Sequence, residues 1–127
     1  MNTTIILGKD EDPSIINRFK KLNFKLISFF NTISYDNINL SSMSIDVLNR
    51  IETVLGNTDM LIIINLDMST MPFSSFISLT KENTIIYLVS NDDIVCDTNK
   101  YPFINQLDDD NKNKSLDIIL KDIDILE

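Results

Sequence analysis

The stretch Thr58-Asp59-Met60-Leu61-Ile62-Ile63-Ile64-Asn65-Leu66-Asp67-Met68 decides the fold, because its apolar run ends abruptly at Asn65. The run is far shorter than the roughly 20 apolar residues of a membrane-spanning helix. It also lacks the alternation of apolar and polar residues that is typical of a strand with one solvent-exposed face. It therefore predicts a central strand of a parallel sheet with helices on both sides. Because open α/β sheets bind ligands beyond the carboxyl ends of their strands, the polar residues after Ile64 mark either a ligand site or only the polar end of a core strand.

Apolar, β-branched runs alternate with segments of helical periodicity along the rest of the chain. Further strands are predicted at 3–7, 25–30 and 83–90, and residues 94–96 form either a short fifth strand or part of a turn. Helices are predicted at 13–22, 44–55, 72–79 and 115–126, and the Asn/Ser-rich stretch 31–42 is predicted to be irregular. This alternation indicates an α/β fold with a parallel sheet of about five strands, in a single domain over residues 1–127.

Composition excludes several classes of function. The 127 residues carry a net charge of −8, which disfavours direct binding to nucleic acid and insertion into a membrane. With no histidine and a single cysteine, the chain lacks a His-based triad, a zinc site of the usual kind and an internal disulfide. The two glycines, Gly8 and Gly56, are too few and too far apart for a phosphate-binding loop. The lone cysteine predicts a reducing, cytoplasmic location.

Polar side chains follow several predicted strands at the point where each strand ends. Asp10 and Glu11 follow the first strand, Asn65 ends the third, Ser90 ends the fourth, and Lys100 follows the predicted fifth. Because neighbouring parallel strands bring their carboxyl ends to one edge of the sheet, these five residues form the candidate site.

Several strings resemble the receiver domains of response regulators, the CheY-like family. Ile5-Ile6-Leu7-Gly8-Lys9-Asp10-Glu11-Asp12-Pro13 is similar to a receiver's first strand and acidic pair. Thr58 to Met71 is similar to the stretch that carries the phosphoacceptor aspartate, and Ile85 to Ser90 to the strand that ends in the switch hydroxyl. Lys100-Tyr101-Pro102-Phe103 resembles the Lys-Pro-Phe after the fifth strand, with one inserted residue. The resemblance implies a CheY-like, flavodoxin-like three-layer sandwich.

One departure from the family pattern is decisive for function. Asn65 stands where the resemblance places the phosphoacceptor, and an amide has no nucleophilic carboxylate oxygen with which to form an acyl phosphate. The resemblance therefore implies a degenerate phosphoacceptor pocket with no catalytic residue and no cofactor. Weak Mg²⁺ binding by Asp10 and Glu11 stays open, the alternative being that these are solvated charges near a helix start. Asp67 is not expected to replace the acceptor, since it matches an ordinary aspartate of the family.

The resemblance implies a non-phosphorylatable, pseudo-receiver module of two-component signalling that docks a protein partner or forms a homodimer. One bacterial setting for such a domain is the N-terminus of a TadZ/CpaE-type pilus-assembly protein, ahead of an ATPase domain. The expected interface lies after the fourth strand, where apolar residues cluster. These residues either meet a partner or cover the edge of the sheet, and they are Ile94, Val95, Tyr101, Phe103 and Ile104.

Two other functions use the same carboxylates. A small α/β enzyme would draw on residues at the strand ends, namely Asp10, Glu11, Asp67, Ser90 and Asp92, and it requires a deep pocket with perturbed carboxyl groups. An acidic protein that mimics nucleic acid would instead space its carboxylates along one extended face. The acids here cluster in one loop and around the last helix, at Asp108–Asp110, Asp117, Asp122 and Asp124.

Overall fold

A parallel sheet forms the middle layer of the structure, and helices pack on both of its faces. The computed structural model describes residues 1–8, 12–30, 36–41, 44–64, 76–90, 103–107 and 110–126. The strands of this part are β1 (Thr3–Leu7), β2 (Phe24–Ser28), β3 (Asn37–Asn39), β4 (Met60–Ile64), β5 (Ile85–Val89) and β6 (Ile104–Leu107). The helices are a 3₁₀ helix (Pro13–Phe19), α1 (Ile45–Gly56) and α2 (Lys112–Leu126). In this part of the chain, no helix is long and apolar enough to cross a bilayer.

The strand order confirms the predicted fold class. The strands lie side by side in the order β3-β2-β1-β4-β5-β6, and every neighbouring pair is parallel. If the edge strand β3 is set aside, the first strand lies between the second and the third, which is the flavodoxin-like order. The protein is therefore a flavodoxin-like three-layer α/β sandwich, and the described residues contain six strands where about five are predicted.

Strand β4 is buried on both faces, as its unbroken apolar run predicts. All five of its residues are buried, and alternate side chains enter two separate hydrophobic clusters. Leu61 and Ile63 pack in the cluster under α1, whereas Met60, Ile62 and Ile64 pack in the cluster under the 3₁₀ helix and α2. The carboxyl end of this strand is therefore held in place by packing from both sides.

The first helical segment is a 3₁₀ helix, not the α-helix that the periodicity predicts over residues 13–22. The dipeptide Asp12-Pro13 predicts a cap followed by proline at the first helical position, and the structure agrees: the Asp12 side chain accepts a hydrogen bond from the Ser14 N–H, and Pro13 opens the helix. That hydrogen bond lowers the pKa of the Asp12 carboxyl. The buried residues Ile16 and Phe19 are three apart, a spacing that one turn of a 3₁₀ helix places on one side.

Helix α1 begins as predicted, but the prediction of its buried face is wrong in part. The Ser44 hydroxyl oxygen accepts a hydrogen bond from the Val47 N–H at 3.2 Å, so Ser44 caps the helix. The buried contacts come from the second half of the helix, at Ile51 and Leu55. The helical spacing of the apolar residues also predicts Ile45 and Leu48 on this face, but they lie at the start of the helix and are 77 % and 49 % exposed.

Helix α2 begins three residues earlier than the predicted start at Ser115. Asn111 precedes it and accepts hydrogen bonds from the Lys114 N–H through its side chain and from the Ser115 N–H through its backbone carbonyl. Ser115 is buried inside the first turns instead of capping them. Half of the predicted helix over 72–79 lies outside the described residues, and in the other half Phe76 and Ile77 are helical and buried.

Two strands were not predicted. Strand β3 lies inside the stretch expected to be irregular, and β6 lies between the Lys-Tyr-Pro-Phe string and the acidic loop. The Ser28 hydroxyl donates to Asn37 Oδ1 at 2.7 Å, and Asn37 Nδ2 donates to the Phe30 carbonyl at 2.7 Å. These bonds join the end of β2 to the start of β3. The alternative strand at Ile94–Cys96 lies outside the described residues.

A left-handed residue, Asn83, leads into β5. Asn83 has φ 63°, a left-handed region that glycine and asparagine tolerate and in which the Cβ of other L-residues crowds the backbone. Replacement by alanine is expected to lower the free energy of unfolding by about 1 kcal/mol, whereas glycine is expected to change it little. Urea unfolding of Asn83→Ala and Asn83→Gly checks this, and equal losses in both variants would contradict it.

Candidate functional site

The carboxyl ends of four strands meet in register at one rim of the sheet. Leu7, Ile64, Val89 and Leu107 are paired in sequence across β1, β4, β5 and β6. The Gly8 N–H donates to the Ile64 carbonyl at 2.9 Å, which extends the pairing one residue beyond β1. The strand order reverses between β1 and β4, and in folds of this type ligands bind at the rim beside such a reversal.

Most of the predicted site residues lie outside the described part of the chain. These are Asp10, Glu11, Asn65 and Lys100, together with Asp67 and Asp92 of the enzyme hypothesis. In the sequence, Asp10 follows Gly8 by two positions and Asn65 follows Ile64 directly. Their predicted roles therefore stay predictions. Among the described residues, no group of three or more His, Cys, Asp or Glu side chains is arranged to hold a metal ion.

Ser90 is the one predicted site residue whose surroundings are described. It directly follows β5 at the rim and is buried. Its N–H donates to the Leu107 carbonyl at 3.1 Å, and its own carbonyl accepts a hydrogen bond from Gln106 Nε2 at 2.8 Å. Ser90 is therefore tied to β6 through its backbone on both sides. Gln106 was not predicted, since nothing local in the sequence marks a glutamine as the partner of a residue sixteen positions earlier.

The described part of the predicted interface lies at the β6 edge of the sheet. Phe103 is 51 % exposed and Ile104 is half-buried, while Ile94, Val95 and Tyr101 lie outside the described residues. Helix α2 adds two exposed apolar side chains, Ile118 and Ile125, which are two turns apart on one side of the helix. Ile118 lines a cavity of about 300 Å³ with Gln106 and Leu107, so this side of α2 lies beside β6. Ile104 packs against the cluster under α1, on the other face of the sheet. We therefore refer to Phe103, Ile118 and Ile125 as the edge patch.

Larger cavities lie away from the carboxyl rim. One, of about 330 Å³, separates the amino ends of β2 and β3 from α1, and we refer to it as the β2–α1 groove. A second, of about 360 Å³, lies along the amino-terminal ends of β1 and β2 and shares Lys25, Asp36, Thr53 and Val54 with the groove. The sequence hypotheses assigned no role to these residues. The one local signal is Lys25, a charged and exposed side chain in a strand whose other residues are buried.

Two ion pairs with perturbed carboxyl groups lie at the amino-terminal side of the sheet. Lys25 Nζ donates to Asp36 Oδ2 at 2.8 Å, and this bond is the main reason that the pKa of Asp36 is lowered. Lys81 and the Asn2 N–H donate to the two oxygens of Asp59 and lower the pKa of that carboxyl. Both shifts favour the ionised carboxylate, whereas an acid that donates protons at neutral pH needs a raised pKa. We therefore treat both pairs as structural or binding groups.

No family model, no curated protein and no solved structure matches this chain.

Proposed function

We propose that this chain is a receiver-like protein-interaction module that cannot take up a phosphoryl group. The proposal rests on one coincidence. The strand order reverses between β1 and β4, where a receiver keeps its acceptor, and the residue that directly follows β4 in the chain is Asn65. An amide at that position has no carboxylate oxygen to attack a phosphoryl donor. The module would then act through its surface and not through chemistry.

Incubation with a phosphoryl donor tests this proposal. The protein is treated with acetyl phosphate and Mg²⁺, or with beryllofluoride and Mg²⁺, and followed by intact-protein mass spectrometry and by thermal melting. We expect no added phosphoryl mass and no shift in melting temperature, because Asn65 offers no acceptor oxygen. An active receiver domain serves as the positive control. Specific phosphorylation of this chain, or a clear melting shift with beryllofluoride, would overturn the proposal.

The edge patch supports the interaction part of the proposal. Phe103 and Ile125 are 51 % and 74 % exposed, and they flank β6, whose outer edge has no strand paired with it in the described structure. Exposed apolar residues beside an open sheet edge are a typical protein-docking surface. We propose that a second copy or an attached domain covers this patch. The proposed setting is a cytoplasmic bacterial protein, either a response regulator or a pilus-assembly protein of the TadZ/CpaE type.

Self-association through the edge patch is the corresponding prediction. Phe103→Asn is expected to weaken self-association at least tenfold, because a half-exposed aromatic side chain at an interface centre contributes strongly to binding. Sedimentation velocity over a concentration series measures the effect. Leu48→Asn is the matched control, since Leu48 is 49 % exposed but belongs to α1, which contacts β3 at the opposite edge of the sheet. Equal association constants for both variants would contradict the assignment.

A further inference from the structure

The β2–α1 groove combines an apolar floor with charged walls. Ile38, which is buried in the middle of β3, and Val54 of α1 provide the apolar part. Lys25 and Asp36 lie on the sheet side, and Arg50 lies on the helix side. None of these residues belongs to the carboxyl rim or to the edge patch, so the groove is a separate surface and does not depend on the receiver-like proposal.

The charges in the groove are unbalanced. Asp36 is neutralised by Lys25, whose Nζ lies 2.8 Å from Oδ2. The Arg50 guanidinium adds a smaller attraction to the same carboxylate, but no hydrogen bond or ion pair joins that side chain to another residue in the described part of the chain. The groove therefore keeps one guanidinium in excess, on a chain whose net charge is −8. This local positive charge favours an anionic ligand at this place and disfavours a cationic one.

The chemistry of Arg50 specifies the kind of anion. A guanidinium presents its N–H donors in a planar fork that matches the two oxygens of a carboxylate. Beside it, Ile38 and Val54 offer contact to methylene groups. The groove also continues into the cavity along the amino-terminal ends of β1 and β2, with which it shares four residues, so the combined space extends from Asn49 of α1 to Met1. An extended peptide suits this shape better than a small free anion.

We propose that the β2–α1 groove binds an acidic segment of a protein partner, with a glutamate or aspartate carboxylate held by Arg50. The apolar floor takes the neighbouring side chains of the segment, and Lys25 stays paired with Asp36. Recognition of this kind depends on the charge and on the shape of the carboxylate. It predicts selectivity against the isosteric amide, since an amide offers the guanidinium one acceptor oxygen and an N–H donor in place of the second.

A titration of the whole chain with two model peptides tests the proposal. The probes are acetyl-Val-Glu-Val-Glu-Val-amide and its counterpart with glutamine in place of glutamate, and binding is followed by the backbone amide signals of the protein. We expect saturable shifts centred on Lys25, Asp36, Arg50 and Thr53, with the glutamine peptide at least tenfold weaker. Arg50→Gln is expected to weaken the glutamate peptide at least tenfold, and Arg50→Lys nearly as much, because lysine keeps the charge but loses the planar fork.

Lys121→Gln provides the matched control, since it removes one exposed positive charge from α2 and none from the groove. It is expected to leave the affinity unchanged, and unchanged amide signals far from the substituted residue show that each variant is folded. Shifts elsewhere on the protein, equal affinity for both peptides, or equal losses in Lys121→Gln and Arg50→Gln would overturn the proposal. A dimer of the chain that Arg50→Gln dissociates would also overturn it, because the occupant would then be a second copy.

Discussion

Truncation of Ile62 or Ile63 to alanine is expected to lower the free energy of unfolding by about 2–5 kcal/mol in each case. Both side chains are fully buried, and they are neighbours on β4 that point to opposite faces of the sheet. Each truncation removes buried methyl and methylene groups and leaves a cavity that the packed surroundings fill only in part. Two large and similar losses would show that both faces of β4 are covered.

Urea unfolding of the two variants, with Ile45→Ala as the control, measures these losses. Ile45 is 77 % exposed, so its truncation is expected to change stability by no more than about 0.5 kcal/mol. A large loss of stability for Ile62→Ala with a negligible loss for Ile63→Ala, or the reverse, would mean that one face of the sheet is exposed to solvent. That outcome would contradict the three-layer architecture and the placement of the carboxyl rim that depends on it.

The central strands were predictable because they are buried on both faces. An apolar run such as 60–64 indicates that both faces of the strand are buried, since a strand with a solvent-exposed face alternates apolar and polar residues. The same local reasoning located β1, β2 and β5, and with them the fold class. The cap of α1 at Ser44 was predictable for a similar reason, because a capping side chain accepts a hydrogen bond from a backbone N–H only three residues away.

The edge strands were not predictable, because long-range pairing creates them. Asn37–Asn39 and Ile104–Leu107 are short, and most of their residues are polar or partly exposed, so neither has a strand pattern of its own. Each becomes a strand when it pairs with a neighbour that is already fixed in the sheet. The early start of α2 has a similar cause, since Ser115 has the residue type of a cap but is used inside the helix, while Asn111 takes the capping position.

The position of Ser90 at the rim was predictable, but its hydrogen-bond partner was not. Parallel register puts Ser90 at the rim, as the alternation of strands and helices indicates. The contact with Gln106 depends on β6, which the pattern does not reveal. The groove at Arg50 was missed for the same reason, since Lys25, Asp36 and Arg50 come from three separate elements. The residues of a single strand indicate which of its ends is polar, but they do not indicate which surface that strand forms together with the other elements.

Loss of the contact between Tyr87 and Asp122 is the second large effect that we expect. Tyr87 is 4 % exposed, and its hydroxyl donates to Asp122 Oδ2 at 2.8 Å, which joins β5 to α2. Asp122→Ala is expected to cost about 1–3 kcal/mol, because it leaves a hydroxyl without its acceptor beneath α2. Tyr87→Phe removes the hydroxyl itself and is expected to cost about 0.5–1.5 kcal/mol.

A double-mutant cycle at neutral pH isolates this contact from other effects of the two substitutions. The double variant is expected to lose less stability than the sum of the two single losses, because either substitution alone already breaks the hydrogen bond. Strictly additive losses would mean that the hydroxyl and the carboxylate do not stabilise each other. Asp122→Asn separates hydrogen bonding from charge, since the amide oxygen still accepts the bond.

The same contact predicts a loss of stability at alkaline pH. Burial, with the bond to Asp122 and its charge as smaller causes, raises the pKa of Tyr87 to about 12 from its ordinary value near 10. Below pH 10 the hydroxyl is protonated in both the folded and the unfolded chain. As pH rises from about 10 to 12, the unfolded chain releases this proton and the folded chain keeps it, so stability falls across that window.

Urea unfolding at a series of pH values between 9 and 12 measures this loss, with Tyr87→Phe as the reference. The wild type is expected to lose about 1–3 kcal/mol more than Tyr87→Phe across the window, since one unit of pKa corresponds to about 1.4 kcal/mol. Lysine titration contributes equally to both proteins and cancels in the comparison. Parallel curves for the two proteins would contradict the prediction, because they would mean that the Tyr87 hydroxyl titrates in the folded chain as it does in water.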